Sequence, residues 1–164
     1  MNELKKISRD AVPRALELAE RYRLLNEPEQ SASICNDILE VEPDNEEALR
    51  TLFLATTEQF GKRRGTSVED AEKISERMKG EYERAYYSGI ICERWARTKL
   101  QENAHASLVG DWLHRAMRKY QEAEALRPAG NDDAVLRWNS CVRLIERVPE
   151  LKQEEREHAM HFED

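Results

Sequence analysis

Apolar residues recur at intervals of three and four positions along most of the chain, and this helical period is the feature that most limits its fold. The clearest stripe consists of Leu108, Val109, Trp112, Leu113, Ala116, Met117, Tyr120, Ala123 and Leu126. At about 3.6 residues per turn, these positions form one side of a helix of about six turns. We expect this helix to begin with Asn103 as its N-cap and to end at Arg127-Pro128. No stretch alternates apolar and polar residues for long enough to make a strand, so the sequence predicts an all-α protein.

Six further helices have recognisable ends. Capping residues or an early proline mark several of the starts, as at Asn26 before Pro28 and at Ser67 with Asp70 three positions later. These signals predict helices over about 10–25, 26–41, 43–60, 67–79, 81–100 and 131–148. Because the loops between them are short, successive helices are expected to be antiparallel neighbours in a stack of hairpins.

Some of these hairpins carry similar residue types at similar spacing. The first has Leu18, Ala19, Tyr22, Ser31, Cys35, Ile38 and Pro43, with Ala15 at a further position. A divergent one has Ala71, Ser75 and Met78, and a later one has Gly89, Cys92, Ala116, Tyr120, Ala123 and Pro128. The pattern resembles the tetratricopeptide repeat family, whose unit is a helix–turn–helix of about 34 residues.

The resemblance implies a single domain built as a right-handed α-solenoid. Its repeats would span about 12–45, 46–80 and 82–130, followed by a closing helix at 131–148 and an acidic tail at 149–164. The third repeat is about 15 residues too long, which two extra turns on each of its helices would accommodate. We therefore expect the tip of that hairpin, near Gln101–Ala104, to protrude. The family binds proteins and peptides on a concave face formed by the first helix of each repeat.

The charge balance bears on the class of partner and on the compartment. The chain has 26 Lys and Arg against 33 Asp and Glu, a formal net charge of −7, which argues against nucleic acid as the main partner. No run approaches 18 apolar residues and the first residues contain no apolar segment, so neither a membrane partner nor a signal peptide is expected. Three widely spaced cysteines without a CxxC pair are expected to be reduced thiols in a cytoplasmic protein.

The sequence contains no established catalytic motif and implies no cofactor, so we expect a protein that is not an enzyme. One alternative comes from two Glu-x-x-His strings, Glu102 to His105 and Glu155 to His158, because such pairs form di-iron sites in helical bundles. Cys35, Cys92 and Cys141 occupy apolar positions and are expected to pack as small hydrophobic residues.

The resemblance assigns the binding face to outward positions of the first helices. These are Glu20, Arg23, Leu24, Arg50, Leu54, Thr57, Tyr86, Tyr87, Ile90, Arg94, Asn139 and Arg143. Four of them are arginines on a protein that is acidic overall. Such a face favours a protein or peptide ligand with an acidic or C-terminal carboxylate segment.

The two ends of a solenoid expose apolar surface unless something covers them. The tail could lie over the last helix through Leu151, Ala159 and Phe162, and residues 1–9 could cover the other end through Leu4 and Ile7. If the tail frays instead, Val135, Trp138, Val142 and Ile145 would be left to pair with a second copy. A structural or homo-oligomerisation module that uses its terminal helices is therefore the main alternative to an adaptor.

Overall fold

A computed structural model describes residues 1–162 of the chain, and its regular structure in this range is helical. The α-helices are α1 (Val12–Leu24), α2 (Pro28–Val41), α3 (Glu46–Thr57), α4 (Val68–Ser75), α5 (Glu81–Gln101), α6 (Ala106–Leu126), α7 (Asp133–Arg147) and α8 (Pro149–Met160). Residues 1–162 contain no strand, only a single bridge between Phe60 and Thr66. The all-α prediction is confirmed.

Local capping explains where several helices begin. The Ser67 Oγ accepts from the Asp70 N–H, and the Asp70 carboxylate accepts from the Ser67 N–H at 2.8 Å, which completes the predicted capping box of α4. The bond from the Ser67 N–H, followed by a contribution from the Ser67 hydroxyl, holds the pKa of Asp70 below its usual value. The predicted N-cap of α6 is wrong, because Asn103 has a left-handed φ of 57° and lies in the turn after α5. His105 caps α6 instead, its Nδ1 accepting from the Ser107 N–H at 3.2 Å.

The chain divides into two compact units, Met1–Met78 and Lys79–Asp164, here called the N-terminal and C-terminal units. In the N-terminal unit, α1 packs on α2 and α3, α2 packs on α3, and α3 packs on α4. Its core consists of Val12, Ala19, Cys35, Ile38, Leu39, Ala48, Leu49 and Leu52. Ile7 packs against this core as expected, whereas Leu4 is exposed.

In the C-terminal unit, α5 and α6 form a long hairpin, and α7 and α8 pack against α6 and against each other. Both hairpin helices have 21 residues, as the lengthened third repeat predicts. The tail forms α8 and docks through Leu151, which is 2% exposed. Phe162 remains 80% exposed, so only part of the predicted tail stripe is buried. None of the helices in residues 1–162 combines the length and apolar character that crossing a bilayer requires.

A glycine sets how closely α5 and α6 approach. A Cβ built on Gly89 would lie 2.5 Å from the Cε1 atom of Tyr120, which is fully buried. Only glycine therefore fits at this position without displacing the tyrosine ring. Gly110 in α6 offers a contrast, because a Cβ there would meet its nearest neighbour, the Cγ of Glu154, at an ordinary 3.9 Å.

The two glycines predict stability changes of opposite sign. Gly89→Ala is expected to destabilise the protein by about 1–3 kcal/mol, since the new methyl overpacks the contact with Tyr120. Gly110→Ala should stabilise it by about 0.5–1 kcal/mol through helix propensity alone. Chemical denaturation of both variants checks this. Equal stabilisation by both substitutions would show that α5 and α6 do not approach closely at Gly89.

Candidate functional site

The predicted binding residues of the N-terminal unit differ in their exposure to solvent and in whether they already form ion pairs. Arg23 is half-buried and already paired, since its Nη1 lies 2.6 Å from the Glu58 Oε1 and its Nη2 lies 3.1 Å from the Glu20 Oε1. Burial alone would lower the pKa of Arg23, but the bonds to these two carboxylates outweigh burial and raise it. Arg50 is exposed and Leu54 is half-buried. Of the two arginines, Arg50 is thus the one presented to solvent.

The predicted residues of α5 are only partly at the surface. Tyr86 and Arg94 are half-buried, but Tyr87 is 9% exposed and Ile90 is 1% exposed. The outward placement expected for Tyr87 and Ile90 is therefore wrong. The physical reason is that α5 is buried around most of its circumference, with eight buried residues. The solvent-exposed side of α5 is therefore narrower than the repeat pattern predicts.

The remaining predicted binding residues lie on α7 and on α1 and α3 of the N-terminal unit. Asn139 is half-buried and Arg143 is exposed. In the N-terminal unit, Glu20 is half-buried, Leu24 is 71% exposed and Thr57 is buried. Thr57 is thus also not an outward position, and its Oγ donates to the Leu54 carbonyl at 2.9 Å.

A buried carboxylate lies at the centre of the C-terminal unit. Glu93 on α5 is 1% exposed, and its Oε2 accepts from the Tyr120 Oη of α6 at 2.5 Å. Its Oε1 accepts from the Arg97 Nε at 3.0 Å and lies 3.7 Å from the Arg137 Nη1 of α7. The Arg97 Nη2 also donates to the Ser140 Oγ at 2.9 Å. We call Glu93, Arg97, Tyr120, Arg137 and Ser140 the Glu93 network.

The charges of this network do not cancel. Two guanidinium groups meet one carboxylate, and each arginine side chain is 33% exposed while Glu93 is buried beneath them. Burial works against the charge on Arg137, but Glu93, Tyr86 and Tyr120 together outweigh it, and the pKa of Arg137 is raised. Burial, followed by the nearby Glu93, raises the pKa of Tyr120 well above its usual value, so Tyr120 is a neutral donor. The network therefore leaves one positive charge in excess at its outer side.

Tyrosine rings continue this surface along α5. Tyr82 and Tyr86 stack with their centroids 5.8 Å apart and an interplanar angle of 8°, and Tyr86 lies 6.1 Å from Tyr120. Tyr86 is also a hydrogen-bond partner of Arg137. The Tyr82 Oη donates to the Asn131 Oδ1 at 3.2 Å, at the start of α7. We call the partly exposed line of Tyr82, Tyr86, Arg97, Arg137 and Ser140 the α5–α7 seam.

The sequence predictions identified Tyr86 on this seam but missed Glu93, Arg97 and Arg137. A signal was present for Glu93, because it follows Gly89 by four residues and precedes Ala96 by three. An acidic residue at helical spacing within a stripe of small buried residues is itself expected to be buried. Arg97, four residues after Glu93, is the partner that such a position requires.

The cysteines lie in the interior, as expected for small packing residues. Cys35, Cys92 and Cys141 are buried, and no disulfide bond joins them. Burial, assisted by the charge of Glu20, raises the pKa of Cys35 to about 12. Burial and then the charge of Glu93 raise the pKa of Cys141 to about 12. Cys35 and Cys141 are thus neutral thiols, the opposite of what nucleophilic or metal-binding chemistry needs.

The two Glu-x-x-His strings do not come together as a four-residue ligand set. His105 is the N-cap of α6, whereas His114 of α6 lies 2.8 Å from the Glu155 Oε2 of α8. His158 lies beside His114, with ring centroids 6.1 Å apart. Within residues 1–162, no group of three or more His, Cys, Asp or Glu side chains is arranged to hold a metal ion.

Comparisons of the chain with protein-family models, with curated proteins and with solved structures give no match. The chemistry of the α5–α7 seam therefore has to be understood from its own residues.

The buried charge of Glu93 predicts a specific stability effect. Glu93→Gln is expected to destabilise the protein by about 1–3 kcal/mol, because the one-third exposed Arg97 and Arg137 would lose the buried carboxylate with which both pair. Glu122→Gln, which removes an exposed partner of Lys119, serves as the matched control and should change stability by less than about 1 kcal/mol. Denaturant unfolding measures both. Identical midpoints for the two variants would contradict a buried, charged Glu93.

Proposed function

We propose that the chain is a helical-repeat adaptor of the tetratricopeptide kind that binds an acidic protein segment on the α5–α7 seam and performs no chemistry itself. Hairpins that pack on one another within each unit support this proposal. So does the burial of the residues at the repeat's small and aromatic positions. Ala19, Ser31, Cys35, Ile38, Ala116, Tyr120 and Ala123 are all 0% exposed.

The observation that carries the proposal is the excess of one positive charge within the Glu93 network. Arg97 and Arg137 share one carboxylate, and Arg143 follows Ser140 by three residues and is exposed. A ligand carboxylate that approaches the partly exposed guanidinium groups would find donors held in place by Glu93 from below. Because these donors are already oriented, little side-chain entropy is lost on binding.

The tyrosines make the seam suitable for a peptide rather than for a free anion. Tyr82 and Tyr86 present stacked rings next to Arg137, so an apolar side chain of the ligand can pack there while its carboxylates pair with the arginines. Rigid aromatic area beside arginine forks is the combination enriched at protein interaction sites. The preferred ligand is therefore a segment in which acidic and apolar residues alternate.

Binding of a model peptide tests this function. A dye-labelled short peptide of alternating Glu and Phe is the probe, with an otherwise identical peptide of Gln and Phe as its control. We expect the acidic peptide to bind more tightly than the Gln control, and to bind more weakly as salt rises, since screening reduces attraction at exposed charges. Fluorescence anisotropy of the full chain gives the affinities.

Charge reversal at two exposed arginines tests where on the protein the peptide binds. Arg143→Glu should weaken binding of the acidic peptide by about tenfold, because it reverses a charge beside the seam. Arg118→Glu, on an exposed position of α6, makes the same change in net charge and should leave the affinity close to that of the wild type. Equal weakening by both variants would mean that only the overall charge matters, and the seam would not be the binding site.

A further inference from the structure

A cleft lies between the tip of the α5–α6 hairpin and α8. Its volume is about 540 Å³, which is in the range of sites that hold small ligands or a few peptide side chains. The hairpin contributes Leu100, Asn103, Ala104, His105 and Ala106, and α8 contributes Glu150, Leu151, Gln153, Glu154 and Glu157. The hairpin tip that was expected to protrude thus forms one side of a concave surface.

The two sides of this cleft differ in chemistry. The hairpin side is largely apolar, with Leu100, Ala104 and Ala106 half-buried, and Leu151 extends this apolar surface from α8. The α8 side carries the carboxylates of Glu150, Glu154 and Glu157 and no Lys or Arg lines the cleft. An occupant must therefore offer positive charge toward α8 and apolar surface toward the hairpin.

The spacing of the carboxylates suggests how such an occupant is arranged. Glu150 and Glu154 are four residues apart, which separates them by about 6 Å along the helix axis. Alternate side chains of an extended peptide point to the same side and are about 6.6–6.8 Å apart. Two basic side chains at alternate positions can therefore face these two carboxylates, while the side chain between them faces the opposite wall.

We propose that this cleft is a second binding site, which takes an extended peptide segment with basic residues at alternate positions and an apolar residue between them. The apolar side chain packs between Leu100 and Ala104, and the flanking basic side chains pair with Glu150 and Glu154. The site does not depend on the α5–α7 seam, and its ligand carries the opposite charge. The chain would then hold an acidic and a basic segment at two places on the C-terminal unit.

The experiment uses the full chain and a dye-labelled Lys-Leu-Lys-Leu-Lys peptide. Glu150→Gln with Glu154→Gln should weaken its binding at least fivefold, because two exposed charge pairs are lost. The matched control is Glu72→Gln with Glu76→Gln, an exposed pair with the same spacing in the last turn of α4 and at its C-cap, which should leave the affinity unchanged. Ala104→Trp, which fills the cleft without changing charge, should abolish binding. Circular dichroism confirms equal helicity of all the variants.

Each remaining outcome would overturn the proposal. If the two Glu pairs weaken binding equally, the peptide responds only to net charge. If Ala104→Trp leaves the affinity unchanged, the peptide binds elsewhere. If spermine, which has charge but no apolar side chain, binds as tightly as the peptide, the cleft is a cation site and the apolar wall has no role in recognition. An undetectable affinity of the wild type for the peptide would also reject the site.

Discussion

The carboxylate of Glu93 has partners on three helices of the C-terminal unit: it accepts hydrogen bonds from Arg97 on α5 and Tyr120 on α6 and forms an ion pair with Arg137 on α7. A charge in the interior costs several kcal/mol unless it is paired and its lone pairs are satisfied. These three helices therefore pack favourably only in the arrangement that supplies all three partners. Gly89 belongs to the same arrangement, because it admits the Tyr120 ring that reaches Glu93. The packing of α5, α6 and α7 therefore has to provide partners for this one group.

The same interaction orients the groups proposed to bind a ligand. Arg97 and Arg137 are held by Glu93 from the buried side and by Ser140 and Tyr86 along the seam. Their side chains remain one-third exposed, so part of each arginine faces solvent. A structural requirement of the interior and the binding proposed for the surface thus involve the same residues. A substitution at Glu93 is therefore expected to affect stability and, if the proposal is correct, recognition as well.

The positions of helices were predictable from the sequence where they depend on interactions between neighbouring residues. The Ser67–Asp70 capping box, the early proline of α2 and the apolar stripe of α6 each depend on residues close in sequence. The start of α6 was missed because Asn103 suits two roles, an N-cap and a left-handed turn residue, and the structure uses the second.

The candidate site was less predictable, because it depends on contacts between residues far apart in sequence. Tyr86 was identified from the repeat register, but the same register placed Tyr87 and Ile90 at the surface, where neither lies. Arg137 and Glu93 are 44 positions apart in the sequence, so no local pattern indicates that they form an ion pair. Leu151 is the one buried residue of α8 (Pro149–Met160), and a single buried apolar residue is too weak a sequence signal to distinguish a covering helix from a frayed tail.

NMR of the arginine Nε–H groups tests the central claim most directly. On addition of the alternating Glu and Phe peptide, we expect the signals of Arg97 and Arg137 to shift with saturation, while those of Arg118 on α6 and Arg156 on α8 stay in place. That result would put the ligand carboxylates on the donors that Glu93 positions. Unchanged signals of Arg97 and Arg137 under conditions where the peptide is bound would contradict the account, since the ligand would then occupy another surface.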